Sequence, residues 1–345
     1  MAKEETPFII PTVDISPYLK DPTGPESAKV IDDIRAACLS TGFFQLLGHG
    51  VPLTLQKSVF DAAARFFALP KEQKLAIRAN KSTGFKGYDV MASQSYQTDV
   101  LPDLKEGFVC GVDPVNGPPE GSEGRFFAAP NLWPPAELLD PAEFRTPVEE
   151  YAAAMIKLCG TVLDLVAATL PYGPDVFDGF MANDPACPLR LLHYPPTPTD
   201  DSEAGEKRRQ AQLGSSAHTD FSAVTLLLQD EHEGLEVLHQ ATGEWKLVPP
   251  NKDAYVVNLG DMMHKLTDGL YKSSMHRVLN RNKTDRYSVV FFFDGNRDYR
   301  LGSLAAAASR GKSAIQNDAG IMTAEEYMFD RLNFSYGRHE TKTSA

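Results

Sequence analysis

Hydrophobic residues follow a helical period in the first half of the chain. This spacing predicts amphipathic helices over 26–41, 53–68 and 147–170, of which the last is the longest. Shorter apolar runs over 8–15 and 42–52 predict two strands, and the second is closed by glycine and proline. Residues 80–145 are rich in glycine and proline and have few periodic segments, which predicts loops and short strands there.

From residue 188 onward, short β-branched and aromatic runs replace the helical pattern. The predicted strands are 189–194, 223–230, 235–239, 254–260, 276–280 and 286–293. Many short strands with turn signals between them favour an antiparallel sandwich or barrel. The polar stretch 197–214 predicts a mobile surface loop, and the tail 324–345 predicts a helix followed by disorder-prone residues.

The charge balance limits the classes of partner. The 345 residues include 34 basic and 46 acidic side chains, for a net charge of −12, which is the wrong sign for binding a phosphate backbone. The hydrophobic share of 42% is ordinary for a soluble globular protein. We therefore expect no nucleic-acid partner, and an anionic small molecule could bind only beside a local arginine. The sequence assigns no oligomeric state.

Cysteine usage and the N-terminus indicate an intracellular protein. Cys38, Cys110, Cys159 and Cys187 have no C-x-x-C spacing, which predicts reduced thiols in the core and neither disulfides nor a zinc site. The N-terminus lacks the basic start and apolar stretch of a signal peptide. No apolar run approaches the roughly 20 residues that span a bilayer. These features predict a cytoplasmic location and no membrane partner.

Two predicted strands carry a candidate metal site. His218 and Asp220 are two residues apart, so on a strand both side chains leave the same face. His276 begins another predicted strand and supplies a third possible ligand. Two histidines and one carboxylate form the facial ligand set of non-haem Fe(II) oxygenases, which leaves positions open for O₂ and an organic chelator. His-x-Asp alone is a weak signal, and a structural role for each histidine is about equally plausible.

The last predicted strand, 286–293, carries an unusual arginine. Arg286 and Ser288 share one face, and apolar residues on both faces indicate a strand that is covered on both sides. A buried arginine needs an anionic partner, and no acid lies nearby on that face. A ligand carboxylate, held bidentately by Arg286 and hydrogen-bonded by Ser288, would satisfy it. The alternative is that Arg286 reaches solvent or pairs with an acid such as Asp268.

A series of motifs in fixed order resembles the isopenicillin N synthase-like branch of the 2-oxoglutarate/Fe(II) oxygenase superfamily. The N-terminal motifs are GFFQLLGHGVP, FFALPKEQK, GFKGYD and NLWPP. The C-terminal motifs are RLLHYPP, HTDFSAVTLLLQD, GLEVL, VVNLGDMM, YKSSMHRV and RYS. The resemblance covers most of the chain, from about residue 8 to 300.

The resemblance implies a mainly β protein with a double-stranded β-helix (jelly-roll) core and flanking helices. It divides the chain into an N-terminal region (1–130), a long-helix support (131–185), the jelly-roll core (186–300) and a C-terminal helix and tail (301–345), all in one compact unit. It also implies an oxidoreductase that uses Fe(II), O₂ and the cosubstrate 2-oxoglutarate and releases succinate and CO₂. The reaction would hydroxylate, desaturate or rearrange a small metabolite, as in specialised metabolism.

Carried onto this sequence residue by residue, the resemblance assigns iron to His218, Asp220 and His276. It assigns the distal carboxylate of 2-oxoglutarate to Arg286 and Ser288, with a hydroxyl contact from Tyr194. The chain departs from many plant members at Leu192-His193-Tyr194, where they have Asn-Tyr-Tyr, so one polar contact near the cosubstrate is missing.

Substrate contacts and two alternative functions complete the hypothesis. Phe292 shares the face of Arg286, and Phe221 follows Asp220, so both are candidate substrate contacts, although core packing explains them equally well. One alternative is an Fe(II) oxidase that does not use 2-oxoglutarate, of the isopenicillin N synthase or aminocyclopropane carboxylate oxidase type. The other is a catalytically inactive jelly-roll binding protein, which would predict a damaged ligand set. The sequence does not identify the substrate.

Overall fold

Two β-sheets face each other in the computed structural model, which describes residues 8, 10–94, 97, 100–111, 113, 125–198 and 202–340. The strands are β1 (Thr12–Asp14), β2 (Phe43–Leu47), β3 (Gly87–Asp89), β4 (Glu106–Cys110), β5 (Leu189–Tyr194), β6 (Ser215–His218), β7 (Val224–Gln229), β8 (Leu235–His239), β9 (Glu244–Leu247), β10 (Tyr255–Leu259), β11 (His276–Val278) and β12 (Arg286–Phe293). The larger sheet has the order β1-β2-β10-β7-β12-β5-β4-β3, and the smaller has the order β6-β11-β8-β9. Apart from the parallel pair β1/β2, the paired strands are antiparallel. This is the antiparallel sandwich that the strand pattern favoured and the jelly-roll core that the family resemblance implied.

Helices flank the larger sheet and form the C-terminal region. They are α1 (Ser16–Lys20), α2 (Pro25–Ser40), α3 (Leu53–Phe67), α4 (Lys71–Leu75), α5 (Arg145–Ala168), α6 (Asp178–Met181), α7 (Glu203–Ala211), α8 (Asp261–Leu266), α9 (Leu304–Arg310), α10 (Lys312–Gln316) and α11 (Ala324–Glu340), with a short 3₁₀ turn at Lys81–Thr83. Helices α3 and α5 pack on each other and on β12, and α2 packs on β2. The larger sheet is therefore covered by helices on its outer face.

Strand β12 shows how the two faces of the larger sheet differ. Val289, Phe291 and Phe293 belong to the helix-packed core on the outer face. Val290 belongs to a second apolar cluster between the two sheets, and Phe292 packs against that cluster. Alternation along a strand places these two sets on opposite faces. The even-numbered positions, which begin with Arg286, therefore point into the space between the sheets.

The hydrophobic pattern predicted most of these elements. Strands β5, β8 and β12 have the predicted bounds, and α2, α3 and α5 differ from prediction by one or two residues at an end. The predicted strand 8–15 is shorter, because only Thr12–Asp14 pairs with β2. The four cysteines are free and buried, as expected. The division of the chain into four regions stays a prediction.

The prediction of a loop over 197–214 is wrong in part, because residues 203–211 form helix α7. This segment consists largely of good helix formers, and Glu203 and Lys207 form an i,i+4 ion pair of 2.8 Å. Its residues lack an apolar stripe, so hydrophobic periodicity gave no helical signal. Residues 199–201 lie outside the described residues, as do residues 341–345, on which the prediction of a disorder-prone end falls.

Helix α5 is long and apolar enough to cross a membrane by length and composition, which differs from the expectation of no such segment. Its most apolar window is 56% buried within the protein. Tyr151, Met155 and Val162 are among the residues that it buries in the helix-packed core. The same composition that would suit a bilayer here fills the interior of the fold.

Candidate active site between the two sheets

The three predicted metal ligands meet where the smaller sheet faces the larger one. His218 is the last residue of β6, and it pairs directly with His276, the first residue of β11. Asp220 lies two residues beyond β6. One ligand atom from each of the three residues lies within 4.8 Å of the others. The two residues of the H-x-D motif therefore converge with a histidine that is distant in sequence.

Hydrogen bonds orient both histidine rings toward this point. The Nδ1 of His218 lies 2.7 Å from the carbonyl oxygen of Ser216. The Nδ1 of His276 lies 3.1 Å from the carbonyl oxygen of Ser274. A carbonyl oxygen only accepts, so each Nδ1 carries a proton, and in the neutral form of each ring Nε2 presents a lone pair. Both Nε2 atoms face Asp220, at 3.7 Å and 3.5 Å from its Oδ1.

The two carboxylate oxygens of Asp220 have different surroundings. Oδ2 accepts hydrogen bonds from the hydroxyl of Thr225 at 2.7 Å and from the amide of Asn258 at 2.8 Å. These donors on β7 and β10 anchor the carboxylate to the larger sheet. Oδ1 faces the two histidines and remains for a cation. Such support fixes the direction of a ligating carboxylate.

Electrostatics favour the protonation states that a cation needs at two of the three groups. Burial, with His276 and Lys105 nearby, lowers the pKa of His218 to about 3, so its ring is neutral. Burial alone would raise the pKa of Asp220, but His276, His218 and the amide of Asn258 outweigh it and keep that pKa below its ordinary value. For His276, the effect of burial is outweighed by Asp220, which raises the pKa of the ring and favours a proton on Nε2. A metal ion would displace this Nε2 proton. Two imidazoles and one carboxylate fit Fe(II).

Arg286 is fully buried at the start of β12, and no carboxylate of the described residues pairs with it. Its Nε donates to the carbonyl of His232 at 3.3 Å, and one Nη donates to the amide oxygen of Gln229 at 2.9 Å. The other Nη has no hydrogen-bond partner in the described part of the chain. Asp268, the suggested alternative partner, instead accepts a hydrogen bond from Ser303. The guanidinium therefore has no carboxylate counter-ion among the described residues, and one side of its fork is open.

One cavity joins Arg286 to the three metal ligands. It is also lined by the other residues singled out from the sequence: Tyr194, Ser288, Phe221 and Phe292. Tyr194 pairs with Arg286 across β5 and β12, and its ring lies 5.0 Å from the guanidinium carbon. Leu192 also lines the cavity. The site residues predicted from the sequence thus surround a single space.

Several polar residues of this cavity had not been singled out from the sequence. Asn258 and Thr225 lie in apolar strand patterns, and nothing in the spacing distinguishes them from packing residues. Lys105 donates to Asp103 at 3.0 Å and to Ser215 at 2.9 Å, and it is buried. The fold brings Asn258 and Lys105 from distant parts of the chain, whereas Thr225 is five residues from Asp220 and reaches it locally.

Comparison with known proteins agrees with this geometry. Residues 10–136 match the family described as "non-haem dioxygenase in morphine synthesis N-terminal". Residues 185–295 match the family described as "2OG-Fe(II) oxygenase superfamily". The second match includes every residue of the proposed metal and cosubstrate sites.

Curated relatives match nearly the whole chain. The 2-oxoglutarate-dependent dioxygenase citB of Monascus ruber is 62% identical over 330 residues, which cover 95% of this chain and 96% of the relative. Clavatol oxidase claD of Penicillium crustosum is 50% identical over 339 residues, which cover 95% and 97%.

Solved structures show the same fold. A full-length Neurospora crassa protein, solved in complex with alpha-KG (2-oxoglutarate), superposes with a TM-score of 0.77 at 26% identity, over 96% of this chain and 98% of that chain. A 2OG-Fe(II) oxygenase family protein of Caulobacter crescentus gives a TM-score of 0.72 at 30% identity, over 93% and 97%. From these matches and the geometry, the chain belongs to the 2-oxoglutarate/Fe(II) oxygenase superfamily and is a dioxygenase that uses Fe(II), O₂ and 2-oxoglutarate.

Proposed function

We propose that His218, Asp220 and His276 hold Fe(II), and that Arg286, Ser288 and Tyr194 hold the distal carboxylate of 2-oxoglutarate. Oδ1 of Asp220 and the two Nε2 atoms form the facial ligand set. The remaining positions are left for the cosubstrate and O₂. Arg286 would then form a bidentate ion pair, and the hydroxyls of Ser288 and Tyr194 would donate to the same carboxylate.

The observation that carries the cosubstrate assignment is the burial of Arg286 without a carboxylate partner among the described residues. Its side chain is among the largest that are fully buried, yet one Nη lacks a hydrogen-bond partner among the described residues and its acceptors are neutral. A buried guanidinium without a counter-ion is costly, so an anion is expected beside it. Ser288 lies two residues further along the same face of β12, which gives that anion a second donor.

The protein's contribution to the reaction is positioning and the exclusion of water. Bound iron supplies the redox chemistry that couples the decarboxylation of 2-oxoglutarate by O₂ to oxidation of the substrate. Asp220 is held by Thr225 and Asn258, and each histidine is held by a backbone carbonyl, so the ligand geometry is set before the cosubstrate arrives.

We propose that the substrate is a mid-sized, partly apolar metabolite. Phe292 and Phe221 line the cavity and would contact it. One relative carries the name clavatol oxidase, which supports a small-molecule substrate here as well. We propose that the enzyme acts in the cytoplasm, without a nucleic-acid or membrane partner.

The assignment is tested by His218→Ala and Asp220→Ala. Each variant should lose Fe(II) binding and succinate formation and remain folded, because these ligands are not the main source of stability in a rigid sheet. His239→Ala is the matched control, since His239 lies at the end of β8 with its Nδ1 2.9 Å from the hydroxyl of Thr242 and does not line the cavity. Bound iron and full turnover in either ligand variant would refute the assignment.

A further inference from the structure

Asp294 is a buried acid in the cavity for which the proposed reaction has no use. Its side chain lines the cavity, only 1% of the residue is exposed, and its Oδ1 has no hydrogen-bond partner among the residues that the structure describes. Arg297 is a cation that lowers the pKa of Asp294. Its N–H groups donate instead to the backbone carbonyls of Phe126 at 2.7 Å and Phe127 at 3.1 Å. A structural acid at this depth would normally have partners within the protein.

The register of β12 places Asp294 at the end of the cavity away from Arg286. Next to β12, Gln229 of β7 pairs with Ser288, and Thr225 pairs with Phe292. Gln229 contacts Arg286, whereas Thr225 contacts the metal ligand Asp220. Asp294 follows Phe292 by two residues, in the direction away from Arg286. The cosubstrate side and Asp294 are therefore on opposite sides of the metal ligands.

The backbone holds Asp294 in a fixed position. Its N–H donates to the carbonyl of Ala186 at 2.9 Å, and the N–H of Ala186 donates to the carbonyl of Gly295 at 2.9 Å. Gly295 has a φ of +75°, and a Cβ there would come within 2.2 Å of the ring of Phe180. The bridge is thus closely packed, and the carboxyl is directed by a rigid support.

Aromatic side chains surround the same space. Phe126, Phe127, Phe221 and Phe292 line the cavity together with Asp294. The two rings of Phe126 and Phe127 lie with their centroids 5.6 Å apart, and Arg297 holds their backbone carbonyls. Flat apolar walls of this kind favour an aromatic ligand.

The protonation of Asp294 restricts the polar group that it would meet. Burial, with Asp220 adding to it and Arg297 opposing it, raises the pKa of Asp294 well above its ordinary range. A neutral carboxyl offers one O–H donor and one acceptor oxygen, and it matches a hydroxyl group, which has the same two capacities. A hydroxyl also suits the ionised form that a nearby Fe(II) would favour, because an ionised carboxyl accepts from a hydroxyl and repels a ligand carboxylate.

We propose that Asp294 is a specificity-determining residue that hydrogen-bonds the substrate, and that it selects a neutral aromatic molecule carrying a hydroxyl group. This inference rests on the proposed function, because it requires the substrate to occupy the cavity beside the metal ligands. The aromatic body would lie among the phenylalanines, with its hydroxyl directed at the carboxyl.

The test uses 2-naphthol and its isostere 2-methylnaphthalene, in which a methyl group replaces the hydroxyl. Their dissociation constants are measured by equilibrium dialysis under nitrogen, with the protein loaded with Fe(II) and 2-oxoglutarate, for wild type, Asp294→Asn and Asp294→Leu. For each protein we take the ratio of the two dissociation constants. The two probes differ in hydrophobicity by the same amount for every protein, so a change in the ratio between variants reports only the contact with the hydroxyl. Asp294→Leu should shift this ratio by about 10-fold against 2-naphthol, because a buried hydroxyl loses its partner. Asp294→Asn keeps a donor and an acceptor and should retain most of the preference.

Stability and 2-oxoglutarate binding complete the test. Asp294→Leu removes an unpaired buried acid, so its thermal midpoint should equal or exceed that of wild type. An unchanged ratio in Asp294→Leu, or no measurable binding of either probe to wild type, overturns the inference. A lower midpoint with an unchanged ratio would make Asp294 a structural residue. When the inference fails but wild type binds 2-oxoglutarate, only the role of Asp294 is refuted. If wild type does not bind 2-oxoglutarate, the proposed function itself is refuted.

Discussion

Replacing Arg286 by lysine tests the cosubstrate site by changing geometry without changing charge. The guanidinium holds the carbonyl of His232 with Nε and the side chain of Gln229 with one N–H of the first Nη, which leaves the second Nη and the other N–H of the first for a bidentate carboxylate. Lysine offers three donors from one nitrogen and no planar fork. It could follow the same path along β12, but it could not satisfy both protein acceptors and a bidentate carboxylate together.

The size of the effect follows from the hydrogen bonds that lysine cannot make. A hydrogen bond to a charged group contributes about 1.5–3 kcal/mol, and each 1.4 kcal/mol or so corresponds to a tenfold change in affinity. Arg286→Lys loses at least one such bond but keeps the ion pair, so the dissociation constant and apparent KM for 2-oxoglutarate should rise by about 10-fold or more. Ser288→Ala loses one hydrogen bond from a neutral donor and should give a smaller rise in the same direction.

The assay measures 2-oxoglutarate binding by anaerobic calorimetry and succinate formation in air. Arg300→Lys is the matched control, because Arg300 donates to the backbone carbonyls of Gln316 and Ile321 and does not line the cavity. An unchanged affinity for 2-oxoglutarate in Arg286→Lys, with a raised KM for the substrate, would refute the reasoning. The arginine would then bind a carboxylate of the substrate, as the oxidase alternative requires.

Two further predictions concern stability and access. Burial alone would raise the pKa of Glu106, but hydrogen bonds from His193, Lys74 and Tyr88 keep that pKa below its ordinary value of 4.5. This network therefore stabilises the fold above about pH 4.5, and its contribution is lost as the pH falls further. Glu106→Gln should lower the free energy of unfolding in urea by about 3 kcal/mol at about pH 6 and by less at about pH 4; an equal loss at both would contradict this. Substrate binding should protect the parts of 80–125 outside β3 and β4 from hydrogen exchange, because Phe85 lines the cavity. Protection confined to the β-strands would mean a pocket that is already closed.

The sequence predicted the parts of the site that depend on local spacing. His218 and Asp220, and likewise Arg286 and Ser288, are pairs two residues apart, so the period of a strand determines which side chains share a face. The apolar residues around Arg286 also indicated its burial, since strands covered on both sides are apolar on both faces. The family resemblance then supplied the third ligand, which no local pattern could assign.

The residues that support the site could not be predicted because they depend on register between distant strands. Asn258 of β10 reaches Asp220 only because β10 pairs with β7. Thr225 is five residues from Asp220, but it lies opposite Phe292 because β7 pairs with β12. Asp294 follows the end of β12, where alternation alone does not establish whether the face continues. Helix α7 was missed for a different reason, since it has good helix formers without an apolar stripe.

The two faces of β12 have different roles, and this determines which substitutions can change the substrate preference of the enzyme. Val289, Phe291 and Phe293 belong to the helix-packed core, and changes there would act on folding. Val290 and Phe292 lie on the cavity side, away from those helices, so substitutions there alter the shape offered to a substrate without changing the packing of the helices on the sheet. A library that varies only these two positions should therefore yield folded proteins with changed substrate preference far more often than one that varies the odd-numbered neighbours.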